Sequence, residues 1–312
     1  MNVNVVRSPE VRFENLLDWH YAPHYIDDIA SYAGLRMHYV DEGRQDDADK
    51  QVTFLCIHGE PTWAYLFRKM APVFLSAGHR FVAPDMFGFG RSDKPLDDET
   101  YTYHFHRNSL LEFVERLDLN NICLVVQDWG GLLGLTLPMA SASRYTRLLV
   151  MNTDLPAGES AGKGFAGWRE YNRTQPDLDI AALIKRSTSV LTDNEAAAYA
   201  APFPDKSFKA GVRRFPELVM LRENEETGLT PLAEEGVESS LKAREFWSND
   251  WEGESFMAIG MQDPVLGPPV MQALHKCIKN CPAPMEIPEA GHFVQEWGKE
   301  ISEAACDAFK LR

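Results

Sequence analysis

Three side chains capable of covalent and proton-transfer chemistry each stand in a turn that follows an apolar run. Asp128 lies in Val125-Val126-Gln127-Asp128-Trp129-Gly130-Gly131, directly after the run Ile122 to Val126 and before a helical stretch from Leu132. A strand, a sharp turn and a helix make a nucleophile elbow, which lifts its central side chain above a sheet at the positive end of a helix. The small-x-nucleophile-x-small pattern falls on Val126, Asp128 and Gly130, Val126 being large for its place. An ionised Asp there can displace an anionic leaving group from an sp³ carbon and form an alkyl ester, with no general acid required. A helix N-cap is the other use of an Asp at such a position.

His292, in Pro288-Glu289-Ala290-Gly291-His292-Phe293, follows the run Met285 to Ile287, and Asp263, in Gly260-Met261-Gln262-Asp263-Pro264, follows Phe256 to Ile259. The order is therefore nucleophile, acid, His. With an ordinary pKa near ~6.5, an imidazole can take a proton from the water that hydrolyses an ester while a carboxylate accepts its Nδ1 proton. A surface His after a turn and an Asx-turn before Pro264 are the plainer readings, the second compatible with an acid role. Ile57-His58-Gly59-Glu60-Pro61-Thr62-Trp63 forms a tight turn past the first buried strand. The amides of Glu60 and Trp129 are expected to converge on one oxygen as an oxyanion hole. The indole of Trp129 donates without accepting, which suits a halide held in a dry pocket.

These turns need a scaffold, and the apolar runs supply one. Val52 to Ile57, Phe81 to Ala83, Ile122 to Val126, Leu148 to Met151, Phe256 to Ile259 and Met285 to Ile287 are near-continuous and β-branched, as in strands buried on both faces. Tyr65 to Ala77, Phe105 to Leu117 and Leu132 to Ala142 carry apolar residues at three- and four-residue spacing. The βαβα rhythm predicts an α/β, mostly parallel, doubly wound sheet. Leu35 to Val40, followed by Asp41-Glu42-Gly43, reads as an antiparallel strand and turn at the sheet edge. After Met151 no strand-like run appears for about a hundred residues, and Ile180 to Lys185 and Asn194 to Ala201 read as helices punctuated by Gly and Pro. Residues 155–227 are thus expected to form a helical cap on a core made of 1–154 and 228–312.

Composition narrows the chemistry. The 312 residues are 45% hydrophobic and 25% charged, with 31 Lys and Arg against 46 Asp and Glu, a net charge of −15. Such a chain is expected to be repelled by nucleic acid and anionic membranes. Five cysteines (Cys56, Cys123, Cys277, Cys281, Cys306) are sparse and odd in number, and the one close pair, Cys277 and Cys281, has no second pair at zinc spacing, so neither a disulfide framework nor a metal site is expected. Gly88-Phe89-Gly90-Arg91-Ser92 lacks the Lys and spacing of a phosphate loop. No window approaches the ~18 apolar residues of a membrane span, and the opening MNVNVVRSPEVRFENL has no basic segment followed by an apolar one. A cytoplasmic, monomeric protein is expected.

Taken in order, HGEPTW, DMFGFGRSDKP, VVQDWGG, MQDPVLGP and EAGHFVQEWG resemble the motifs of haloalkane dehalogenases of the α/β-hydrolase fold, over Arg12 to about Phe309. The resemblance is closest to the subfamily typified by the 1,2-dichloroethane dehalogenase. It implies Asp128 as nucleophile, Asp263 as acid, His292 as base, Glu60 and Trp129 as oxyanion-hole donors, and Trp129 with the cap residue Trp168 as halide clamp. It implies a small halogenated alkane, water and halide as the reacting partners, and no cofactor. The segment from Asn152 to Trp168 looks shorter than in that relative, and Leu132 stands where it has Phe, so substrate preference does not carry over. Asn152 and Asp154, after Leu148 to Met151, mark the other place where this fold supplies an acid, and Asp154 alone of the two carries a charge. An epoxide hydrolase shares the Asp and His but needs cap phenols, for which Tyr171 and Tyr199 are available. A non-catalytic ligand-binding homologue is the third reading.

Overall fold

The computed structural model describes residues 3–32, 34–44, 51–224 and 226–312, which include every candidate site residue. Among the described residues one sheet contains eight strands: β1 (His24–Ile26), β2 (Met37–Glu42), β3 (Thr53–Ile57), β4 (Arg80–Pro84), β5 (Ile122–Val126), β6 (Tyr145–Met151), β7 (Glu254–Gly260) and β8 (Met285–Ile287). Their spatial order is β8-β7-β6-β5-β3-β4-β2-β1. β2 runs antiparallel to both its neighbours, and every pairing from β4 to β8 is parallel. The central strands TFLCI and ICLVV are buried at all their positions, which explains their unbroken apolar runs.

Two expectations are corrected. The antiparallel strand expected over Leu35 to Val40 runs instead over Met37–Glu42, taking in Asp41 and Glu42 of the expected turn, and β1 pairs outside it and forms the edge. After α1 (Ala71–Ser76) and α2 (Tyr103–Arg116), the helix expected over Leu132 to Ala142 ends early: α3 covers Trp129–Gly134, and 3₁₀ turns at Pro138–Ala140 and Ala142–Arg144 replace its second half, because Pro138 has no N–H to continue the ladder.

Register places the chemistry. β3 and β5 are neighbours although β4 comes between them in sequence, with Ile57 opposite Val126. The chain reverses its winding there, so the loops after β3 and β5 open a crevice at the carboxyl edge of the sheet. Val126 lies opposite Val150, Met151 opposite Ala258, and Gly260 opposite Ile287, so the loops after β6, β7 and β8 reach the same edge.

Between β6 and β7 the chain forms helices, including α4 (Lys163–Thr174), α5 (Ile180–Ser187), α6 (Asp193–Ala200), α7 (Ala210–Leu218) and α9 (Val237–Asn249). They are short for readable reasons. Asp179 caps α5 by accepting from the Ala182 amide at 3.0 Å, and Thr192 and Glu195 form a reciprocal capping box at α6. α5 packs on α6, and α4 on α7.

Candidate active site

The turn after β5 holds Asp128 at φ 51° and ψ −129°, a backbone region that a non-glycine residue adopts only when its surroundings impose it. The Asp128 amide donates to Asn152 O at 2.9 Å, and Thr153 Oγ1 donates to Asp128 O at 2.7 Å. Glycine is obligatory beside it: a Cβ on Gly130 would stand 1.9 Å from Ile57 O, and one on Gly59 would stand 2.4 Å from Asp128 Oδ1. The elbow is therefore a product of close backbone approach between the loops after β3 and β5.

Around the Asp128 carboxylate the two oxygens are differentiated. Oδ1 accepts the Glu60 amide at 2.7 Å, while Oδ2 lies 3.5 Å from His292 Nε2. The Trp129 amide makes no hydrogen bond to Oδ1, so of the two expected donors the Glu60 amide is the one in position. His292 Nδ1 donates to Asp263 Oδ2 at 2.9 Å. The structure thus brings Asp128, His292 and Asp263 into one line of contacts.

Asp263 is held as an ion. Burial pushes its pKa up, but His292, the Val265 amide on Oδ1 at 2.8 Å and Asn152 Nδ2 on Oδ2 at 3.0 Å together pull it down to about 2. Burial lowers the His292 pKa, yet the carboxylates of Asp263 and Asp128 override it and hold the imidazole well above its usual value. The Glu60 side chain behaves in the opposite way: burial, reinforced by the Asp128 charge, pushes its carboxyl well above the carboxylate range. It lines the site with one carboxyl oxygen enclosed and without a partner among the described residues.

Two contributors escape sequence reading. Asn152 lies where a second acid was conceivable, and it serves the first one: its Nδ2 donates to Asp263 Oδ2, and its Oδ1 accepts the Gly260 amide at 2.7 Å. Gln127 is fully buried, and its Nε2 lies 3.0 Å from His292 O and 3.1 Å from His292 Nε2. Because a carbonyl can only accept, His292 O fixes the amide orientation and presents an N–H to Nε2. A polar residue at the buried end of the ICLVV strand was the available signal for Gln127. Asp154 makes no hydrogen bond to His292.

A cavity of about 880 Å³ lies over this edge, lined by Asp128, Asp263 and His292 from the core and by Trp168 and Tyr171 from α4. Trp129 also lines it, with its ring edge-on to Phe215 of α7 at 4.5 Å between centroids. The indoles of Trp63, Trp247 and Trp251 donate to protein oxygens, whereas those of Trp129 and Trp168 find no acceptor among the described residues. Tyr199 is elsewhere: it is buried, and its hydroxyl donates to Glu296 Oε1 at 2.6 Å.

Comparison with known proteins decides the family. The family model for the alpha/beta hydrolase fold matches residues 52–299. The chain is 40% identical over 299 residues to a haloalkane dehalogenase of Psychrobacter cryohalolentis, covering 94% of each chain. The chain belongs to the haloalkane dehalogenases. A haloalkane dehalogenase 1 of Mycobacterium bovis is also 40% identical, over 96% of this chain and 97% of its own. Among solved structures, the tetrameric haloalkane dehalogenase DpaA of Paraglaciecola agarilytica NO2 superposes with a TM-score of 0.92 at 50% identity, covering 99% of this chain and 100% of that one. The monomeric state expected for this dehalogenase finds no support in that relative. Among the described residues no helix is long and apolar enough to cross a membrane.

Proposed function

We propose that the chain hydrolyses haloalkanes to alcohol and halide through an alkyl ester on Asp128. The observation that carries this reading is the division of labour on the carboxylate, with Oδ1 held by the Glu60 amide at 2.7 Å and Oδ2 left facing the cavity and His292. Oδ2 attacks the halogen-bearing carbon, the carbon–halogen bond breaks, and the halide leaves with the electron pair onto the indole N–H groups of Trp129 and Trp168. His292 Nε2 then takes a proton from water, and the resulting hydroxide adds to Asp128 Cγ. Negative charge develops on Oδ1, where the Glu60 amide already points. Collapse breaks the bond from Cγ to the alkoxide oxygen, the alkoxide leaves protonated as the alcohol, and one proton passes to solvent.

Charge on His292 is timed by the same chemistry. Two carboxylates favour its protonated form in the free enzyme, and esterification of Asp128 removes one of them. The base therefore becomes available when the ester needs it. Asp263 remains ionised beside the imidazolium, and its place after β7 supports the 1,2-dichloroethane dehalogenase-like subfamily. In this reading residues 155–227 act as the cap, and the protein works in the cytoplasm, in keeping with five free cysteines.

Epoxide opening needs cap phenols as proton donors. Tyr171 lines the cavity, but Tyr199 is committed to Glu296 and Arg68. A panel of chloro-, bromo- and iodoalkanes with styrene oxide, assayed at neutral pH without added cofactor, tests the proposal. Halide release with no diol from styrene oxide is expected; diol formation without halide release would overturn it.

A further inference from the structure

Asp154 is a carboxyl on the wall of the cavity, which Leu132, Phe165, Leu183, Val219 and Leu221 line with apolar side chains and Glu159, Lys163 and Arg186 with charged ones. It follows β6 by three residues and lines the cavity that contains Asp128. Its Oδ1 accepts the Leu155 amide at 2.8 Å, and Oδ2 has no hydrogen-bond partner among the described residues. Arg244, whose charge acts on it, is engaged elsewhere: it donates from Nε to Leu155 O at 2.7 Å and pairs through Nη2 with Glu159 at 2.8 Å. Burial accordingly raises the Asp154 carboxyl to about 6, with the Leu155 amide and Arg244 opposing it only in part. Ser160 lines the same cavity, and its covered hydroxyl has no partner among the described residues.

A polar group without a protein partner at a cavity wall is stabilised by a ligand that supplies the missing hydrogen bond. The volume is also informative. About 880 Å³ is ample for an organic molecule of many heavy atoms, so a substrate carbon at Asp128 leaves room for a chain that extends to a second contact.

We infer that Asp154 and Ser160 form a polar subsite for a hydrogen-bonding group, typically a hydroxyl, carried by the halogenated substrate away from its reacting carbon. Bromoalcohols of suitable length are then better substrates than bromoalkanes with the same number of carbons, and the products are diols and bromide. The hydroxyl donates to Asp154 Oδ2 and, once the covered Ser160 side chain turns toward the cavity, accepts from Ser160 Oγ, while Trp129 and Trp168 hold the departing halide. The inference rests on the dehalogenase reading of Asp128 and His292, and it assigns Asp154 to specificity instead of to proton transfer.

The test measures kcat/KM by bromide release for 1-bromoalkanes and ω-bromoalcohols matched from three to eight carbons. For the wild type the alcohol is expected to exceed the alkane by about ten-fold at one or more lengths, the equivalent of one good hydrogen bond. In Asp154→Leu the alcohol-to-alkane ratio at that length should fall at least ten-fold, chiefly through KM for the alcohol. Asp154→Asn, which keeps an acceptor, should retain most of the preference, and Ser160→Ala should lose part of it. A wild type that prefers the alkane at every length overturns the subsite while leaving the dehalogenase reading intact. So does a ratio that is the same in Asp154→Leu or in Asp154→Asn and Ser160→Ala together. Absence of bromide release from both classes overturns the dehalogenase reading and the subsite with it.

Discussion

His292 lies 2.9 Å from Asp263 and 3.5 Å from Asp128, and the balance among these groups makes residue-scale predictions. Removing the Asp128 charge removes one source of attraction for the imidazole proton, so Asp128→Asn should lower the His292 pKa. An NMR titration of the ring protons reads this directly, and an unchanged or raised value would contradict the timing proposed for the base. Gln127 acts with the opposite sign. Its N–H stabilises the neutral imidazole, so Gln127→Met should raise the His292 pKa and move the acidic limb of ester hydrolysis to higher pH. Single-turnover kinetics across pH would show that shift in the second phase and leave the alkylation burst in place. Asp128, Asp263 and His292 were legible because each carries its signal locally, in a turn just after an apolar run. Gln127 and Asn152 were not, because their partners lie 165 and 111 residues away in sequence. The upward shift of the Glu60 carboxyl was likewise invisible, since it follows from burial beside Asp128.

At the scale of elements, α6 is fastened to the core by a buried polar network. Arg68 Nη2 lies 2.6 Å from Glu296 Oε2 and 2.8 Å from Glu195 Oε1, Tyr199 donates to Glu296, and Trp63 Nε1 donates to Ala198 O at 3.1 Å. Arg68 and Glu296 have fully buried side chains, and removing Arg68 leaves the two carboxylates of Glu296 and Glu195 with only the partly exposed Lys69, 2.8 Å and 3.6 Å away, as a charged partner. Arg68→Met should therefore cost about 3 kcal/mol of stability in urea unfolding, and a loss under about 1 kcal/mol would contradict a fastening role. The inner strands could be read directly, since burial on both faces demands unbroken β-branched runs. β1 could not: it has three residues, two of them half-buried, and pairs only with an antiparallel neighbour. The early end of α3 turned on Pro138, a residue whose effect was readable but whose weight against the periodic apolar pattern was not.

Across the whole molecule, every loop that contributes to the site leaves the carboxyl edge of one sheet. The loops after β3, β5, β6, β7 and β8 carry Glu60, Asp128, Asn152 with Asp154, Asp263 and His292, and the helices between β6 and β7 supply Trp168. This architecture was legible from rhythm, because strand runs stop after Met151 and resume at Phe256. The cavity was not, since its volume and its polar wall arise only when the helices between β6 and β7 meet those loops. The covalent ester on Asp128 is the claim on which the mechanism rests. Intact-mass spectrometry of His292→Gln incubated with a 1-bromoalkane tests it most directly, because alkylation consumes no proton while hydrolysis needs the base. The account predicts a protein heavier by one alkyl group, with peptide mapping placing the modification on Asp128. A folded His292→Gln protein that releases bromide and gains no mass, or gains it at another residue, would contradict the account.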